Sequence, residues 1–272
     1  MKEFLSATTH IARQAGALLL PYFQRRVKIE YKGDVDLVTE ADRASEALIV
    51  KQLQAYFPDH AIVAEEGSRH AGASAYRWHV DPLDGTTNFA HGFPVFAVSL
   101  GLEKDGEMIL GVIYDPTRDE MFTAEKGGGA QVNNQPLRVS LVNRLEEALI
   151  ATGFPSRKRH KNANIHFYHQ LNMLSHGVRR PGSAALDLAY VAAGRLDGFW
   201  EFHLQPWDMA AGKLLVEEAG GCITDMEGRP HRLDSPSIAG SNQLLHSQLL
   251  AVFEEIFSGT YPVELPPISR PA

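Results

Sequence analysis

At 272 residues and 44% hydrophobic content, the chain is long enough to bury a full core as one large domain or two close-packed halves. A formal charge of −7 and a pI near 5.9 argue against broad binding to nucleic acid or to an anionic membrane, which both need a positive field, and suit cation binding. The single cysteine, Cys222, excludes an internal disulfide and a multi-cysteine metal site, and fits a reducing cytoplasm.

Residues 4 to 24 carry Phe4, Ile11, Ala15, Leu18, Leu19 and Tyr22 at helical spacing, which predicts an amphipathic helix. Glu3, His10, Arg13 and Gln14 break the segment up, so it does not read as a secretion signal, and no stretch reaches membrane-spanning length. Tyr31 to Asp42 reads as an extended loop into a second helix, with Leu48, Ile49, Leu53, Tyr56 and Phe57 as its buried face. Thr39 and Asp42 resemble a helix-start pair, and Asp42 on its own reads as a cap. The strand Ala61 to Ala64 then runs into Glu65-Glu66-Gly67. Adjacent glutamates at a strand end point to opposite sides, and Glu65 is the candidate for a site.

Trp78 and Val80 open a strand leading to Asp81-Pro82-Leu83-Asp84-Gly85-Thr86-Thr87, read as a turn broken by Pro82 and Gly85. Two carboxylates three residues apart repel each other unless a cation lies between them, and a divalent metal held by oxygen ligands removes that repulsion. Gly85 lets the backbone approach a ligand, while Thr86 and Thr87 offer N–H and hydroxyl groups to an anion at a helix start. A plain Asp-Pro-x-Asp-Gly turn, with both aspartates capping backbone N–H groups, uses the same residues, and the segment alone leaves both readings open.

Val95 to Leu102 and Met108 to Tyr114 are strand-like runs joined through Lys104-Asp105-Gly106-Glu107, a hairpin signal, and Met121 to Ala124 adds a strand. Gly127-Gly128-Gly129 lacks the flanking pattern of a nucleotide loop and reads as a tight connection. A second half begins near Leu145, dividing the chain into 1–145 and 146–272, with a strand at Ala148 to Thr152 and a turn at Gly153-Phe154-Pro155. Arg157 to Lys161 is a basic run, read as a solvated loop; His166 and His169 share a helical face with no third ligand and read as surface or interface residues. Beyond it come a helix from Ser183 to Gly194, a strand from Leu196 to Phe202 containing Glu201, and a helix from Asp208 to Ala219 closed by Gly220-Gly221. Asp208 reads equally as that helix's N-cap or as a rigidly held metal ligand. Strands at Cys222 to Asp225 and Ser237 to Gly240, a helix opening at Asn242 and a Pro-rich tail complete the chain.

Asp36-Leu37-Val38-Thr39-Glu40-Ala41-Asp42, Glu65-Glu66-Gly67-Ser68, Asp81 to Phe89, and Trp207-Asp208-Met209-Ala210-Ala211-Gly212 with Glu218-Ala219-Gly220-Gly221 together resemble the inositol monophosphatase family of magnesium-dependent phosphatases. Ala151-Thr152-Gly153-Phe154-Pro155 and Gly182 to Arg195 are similar to its bacterial inositol-1-monophosphatase branch. The resemblance implies an α+β fold, a layered αβαβα sandwich of helix pairs and mostly antiparallel sheets, and a cytoplasmic homodimer. It implies Glu65, Asp81, Asp84 and Asp208 as carboxylate ligands of Mg²⁺, with the Leu83 carbonyl. Glu65, Asp42 and Thr86 become the catalytic set for attack by a metal-activated water on a phosphate monoester. Gly85 and Thr86 would hold phosphate oxygens, and Asp84, Ala184 and Glu201 the substrate's hydroxyl groups; lithium sensitivity is a further family expectation. Phosphatases for fructose 1,6-bisphosphate, histidinol phosphate or a 3′-phosphonucleotide share such a metal site, and some bacterial members associate with the transcription machinery.

Overall fold

The first two periodic segments fold as α1 (Lys2–Arg25) and α2 (Glu40–Tyr56) in the computed structural model, which describes residues 2–25, 30–31, 37–38, 40–154 and 162–265. Asp36, Thr39 and the basic run Arg157 to Lys161 lie outside the described residues. α1 buries Ile11, Ala15 and Leu19, and α2 buries Ile49 and Leu53. Tyr56 departs from expectation and is 52% exposed. Phe57, four residues after Leu53 and just past the helix, continues the buried stripe instead, its N–H bonded to the Leu53 carbonyl.

A two-strand ribbon of β1 (Glu30–Tyr31) and β2 (Leu37–Val38) precedes α2. The large sheet comprises β3 (Ala61–Ala64), β4 (Arg69–His70), β5 (Tyr76–Asp84), β6 (Ala97–Lys104), β7 (Glu107–Asp115), β8 (Glu120–Glu125), β9 (Gly129–Val132) and β10 (Gln135–Pro136). Their order is β10-β9-β8-β7-β6-β5-β3-β4, antiparallel except where β3 runs parallel to β5. The β6–β7 turn is as short as its Asp-Gly pair predicts, with both Asp105 (φ 50) and Gly106 (φ 86) left-handed, the twist that suits a two-residue hairpin. α3 (Thr86–His91) follows β5 directly.

The second sheet holds β11 (Leu149–Thr152), β12 (Gly177–Arg179), β13 (Gly198–Phe202), β14 (Gly221–Thr224) and β15 (Ser237–Asn242) in the order β12-β11-β13-β15-β14. β11 is parallel to both of its neighbours. α4 (Asn164–Leu174), α5 (Ala184–Ala192), α6 (Pro206–Glu218) and α7 (His246–Phe257) complete the described elements. Asn242, expected to open the last helix, ends β15 instead; its Oδ1 accepts from the Leu245 N–H and its Nδ2 donates to the Val142 carbonyl.

The layers run α1/α2, first sheet, α5/α6, second sheet, α4/α7, the αβαβα sandwich expected. Three apolar clusters fill the gaps between them, the central one combining Phe122 and Ile113 of the first sheet with Leu188 of α5, Leu215 of α6 and Ile238 of the second sheet. The resulting fold is α+β, and none of its described helices is long and apolar enough to cross a membrane.

Candidate active site

β5 was expected to stop before Asp81; it runs on through Asp84. Pairing with β6 holds to Asp81↔Ser99 and resumes at Asp84↔Ala97, so three steps on β5 match two on β6. In a regular strand, residues three apart face opposite sides of the sheet. The bulge cancels that alternation, and it sits at Pro82, which has no N–H to lose from the ladder. Asp81 and Asp84 therefore face one cavity of about 540 Å³.

Glu65 joins them from the loop after β3, and Asp208 from α6. Glu46 holds the Glu65 loop: its buried carboxylate accepts from the N–H groups of Glu66 at 2.7 Å and Ser68 at 3.0 Å. Asp208 is the third residue of its helix rather than the N-cap, because Pro206, needing no N–H partner, occupies the first turn and leaves Gln205 as the cap. Asp208 Oδ2 accepts from the Gln205 N–H at 2.7 Å. α6 reaches the site because Gly101 and Gly111 face each other across β6 and β7; a Cβ on Gly111 would lie 2.6 Å from the Ala211 carbonyl oxygen. The two glycines let the helix backbone rest on the sheet.

Gly85 (φ 93) turns the chain into α3, whose short helix begins at Thr86. The Thr86 hydroxyl lies 3.1 Å from Asp42 Oδ1 and 3.1 Å from the Leu83 carbonyl oxygen, so it joins a fully buried acid to the cavity wall. Ser45, one turn along α2 from Asp42, donates to the Pro82 carbonyl at 2.9 Å. Asp81 Oδ1 accepts from the Leu83 N–H at 3.0 Å, and Asp84 Oδ2 from the Ser183 hydroxyl at 2.6 Å and the Ala185 N–H at 2.8 Å. Each of these acids has one oxygen tied to the protein.

The acids repel one another. Burial raises the Asp81 carboxyl well above its ordinary range, and the charges of Glu65, Asp84 and Asp208 add to the effect. Asp84 is pushed up to about 6 by burial, against the opposing pull of Ser183 and the Ala185, Ala184 and Gly85 N–H groups. Burial, then Asp84 and Glu65, raise Asp208. Among the described residues lining the cavity, the only lysine or arginine is Arg180.

All the sequence-derived site residues except Asp42 line this cavity, and Asp42 meets it through Thr86. Glu46, Ser183, Arg180 and Asp187 were missed. The available signal was an acid inside an apolar helical stripe: Glu46 stands three residues before buried Ile49, and Asp187 is the one charge in the buried run Ala184 to Ala189. Gly153 was read only as part of a turn, yet a Cβ there would fall 2.1 Å from Glu201 Oε2. Outside the cavity, His166 is exposed and its ring stacks on Tyr261.

Residues 1–258 match the family model described as the inositol monophosphatase family. The chain is 44% identical over 259 residues to the inositol-1-monophosphatase of Mesorhizobium japonicum, covering 93% of this chain and 97% of that protein. It is also 44% identical over 262 residues to the Nus factor SuhB of Pseudomonas aeruginosa, with 93% and 97% covered. The solved extragenic suppressor protein suhB of Bartonella henselae superposes with a TM-score of 0.89 at 42% identity, covering 93% of this chain and 98% of that one. With whole-length similarity and the same layered fold, the chain belongs to the inositol monophosphatase family.

Proposed function

We propose that the protein is a Mg²⁺-dependent phosphate monoester hydrolase acting on inositol 1-phosphate, releasing myo-inositol and phosphate. The observation that carries this reading is the gathering of Glu65, Asp81, Asp84 and Asp208 in one cavity, beside the Thr86–Asp42 hydrogen bond. Four mutually repelling acids without a lysine among the described lining residues are relieved by a hard divalent cation. No group of three or more His, Cys, Asp or Glu side chains among the described residues forms a ready-made cage for a metal ion. Mg²⁺ takes few carboxylates, keeps several waters and shares its coordination with substrate phosphate. The four carboxylates, with the Leu83 carbonyl, are the groups that would hold it. When bound, the ion supplies positive charge to the phosphate and the leaving alkoxide and makes water a better nucleophile.

The remaining work falls to the chain itself. Thr86 and Glu65 orient the attacking water, and the Thr86 hydroxyl passes its proton toward Asp42. Gly85 and Thr86 N–H groups hold phosphate oxygens, pinning the ester for in-line attack. At the far end, Glu201 accepts from hydroxyl groups of the leaving polyol, with Asp84 and the Ala184 N–H completing its contacts. The experiment is phosphate release, with Mg²⁺ and with EDTA, from myo-inositol 1-phosphate, fructose 1,6-bisphosphate, histidinol phosphate and 3′-phosphoadenosine 5′-phosphate. The expected result is EDTA-abolished release, fastest from the inositol ester and inhibited by LiCl. Release from none of the four would sink the reading. The reading includes a cytoplasmic homodimer.

A second reading rests on the relative named Nus factor SuhB: an accessory protein of the transcription machinery. The net charge of −7 favours a protein partner over RNA alone. Capture of RNA polymerase by the protein, surviving a salt titration that strips bound RNA, is the outcome this reading requires.

A further inference from the structure

The cavity holds one acid that neither the metal set, the proton path nor the polyol contacts employ. Asp187, in the first turn of α5, is 1% exposed and lines the cavity, and its Oδ1 has no hydrogen-bond partner among the described residues. A buried polar atom without a partner is costly and rare in a native fold, and it marks a group kept for something that arrives later. Glu201 stands in the same cavity. Register pairs Thr152 with Trp200, which places Gly153 beside Glu201 at the ends of β11 and β13. The missing Cβ of Gly153 is the space that the Glu201 carboxyl fills.

This seat is held rigidly from below. Asn164 Nδ2 donates to the Gly153 carbonyl at 2.7 Å, and Asn164 Oδ1 accepts from the Trp200 indole at 2.6 Å. The Thr152 hydroxyl donates to the Trp200 carbonyl at 2.7 Å and accepts from Asn164 Nδ2 at 2.9 Å. A fully satisfied buried network of this kind fixes both strand ends. We propose that Asp187 is a specificity-determining residue of the leaving-group end: its carboxyl and that of Glu201, seated in the room that Gly153 leaves, together receive neighbouring hydroxyl groups of an uncharged polyol. Burial favours the neutral form of both; the charges of Glu201 and Asp84 add to it at Asp187 and that of Asp84 at Glu201, with Arg180 opposing at each. A neutral carboxyl both donates and accepts, as a hydroxyl does, whereas a cationic leaving group would call for ionised acids. The inference deepens the phosphatase reading and rests on it.

The test compares wild type, Asp187→Leu and Gly153→Ala as full-length protein with Mg²⁺; leucine keeps the size but neither donates nor accepts, whereas asparagine would mimic a neutral carboxyl. KM and kcat are measured on myo-inositol 1-phosphate and on p-nitrophenyl phosphate, whose leaving group lacks the polyol's hydroxyls. The rise in melting temperature given by free myo-inositol is measured alongside. Asp187→Leu should raise KM on the inositol ester about tenfold more than on the aryl ester, with kcat on the inositol ester within about twofold. Gly153→Ala should give the same selective pattern by displacing Glu201, and the inositol-induced melting shift should shrink in both variants. Equal changes on both esters, or no polyol-selective change in either readout, would overturn the proposal. If wild type hydrolyses neither ester but inositol raises its melting temperature and not that of Asp187→Leu, the hydroxyl reader stands and the phosphatase assignment falls. Hydrolysis with an unaltered Asp187→Leu gives the converse.

Discussion

The two ends of the cavity hold their acids in different ways. Toward α3 and α6, Asp81, Asp84 and Asp208 each have an oxygen fixed by an N–H or hydroxyl donor. Toward α5 and β13, Asp187 has an oxygen with no partner among the described residues, and Glu201 rests in the gap above a glycine. Donors that tie one oxygen of a carboxylate set its direction and leave the other for a ligand of fixed position, as an ion and a phosphate group require. An acid with no internal partner answers instead to whatever hydroxyl is presented, and its energy is recovered only when substrate is present. On the proposed reading, the first end is built before the ligand arrives and the second is completed by it.

The most severe way to break this contrast is Asp84→Asn. Removing one charge from the metal end should cost several kcal/mol of transition-state stabilisation, on the order of 10³ in rate. Because an asparagine oxygen can still accept from Ser183 and Ala185, and repulsion with Asp81 falls, the metal-free variant should melt no lower than wild type. Phosphate release and a melting curve with and without Mg²⁺ check both halves; an unfolded variant would make the segment structural.

Glu46→Ala acts one step further out. It strips the acceptors of the Glu66 and Ser68 N–H groups. The expected loss is about 1–3 kcal/mol in urea unfolding, together with about 10–100-fold weaker Mg²⁺ dependence of hydrolysis. A full stability loss with unchanged Mg²⁺ dependence would mean the loop's position does not matter to the site.

Glu201→Gln sharpens the contrast through pH. Burial pushes Glu201 up to about 8 from its ordinary 4.5. In the metal-free protein the unfolded chain releases this proton near pH 4.5 while the folded chain keeps it to about 8. The unfolded state then binds fewer protons, so stability falls as pH rises through that window, by up to about 1.4 kcal/mol per pH unit for this group. Below the window the contribution vanishes. Denaturant unfolding at pH 6 and 7 should therefore show a smaller decline in Glu201→Gln than in wild type, and equal declines would mean Glu201 titrates as an exposed acid.

Much of the phosphate end was readable in the chain because it is local. Asp81, Leu83, Asp84, Gly85 and Thr86 lie within six residues, and the Asp105-Gly106 hairpin and the glycine-closed end of α6 follow from backbone chemistry alone. Even there, the bulge at Pro82 was invisible, since opposing two residues of β6 to three of β5 is a property of the pairing and not of either strand. Ser183 reaches Asp84 from 99 residues away, so no spacing announced it.

By itself, the sequence determined the helical stripes, the tight turns, the acidic motifs and, through their resemblance to a family, the layered class of the fold. Only the tertiary structure decided that β11 would run parallel to β12 and β13, that Gly101 and Gly111 would admit α6 to the sheet, and that Gly153 would seat Glu201 in the cavity that Asp187 also lines. The reason is physical: periodicity and capping act over a few residues of one segment, whereas the room a missing side chain leaves, and the partner a buried carboxyl lacks, exist only once distant segments have packed.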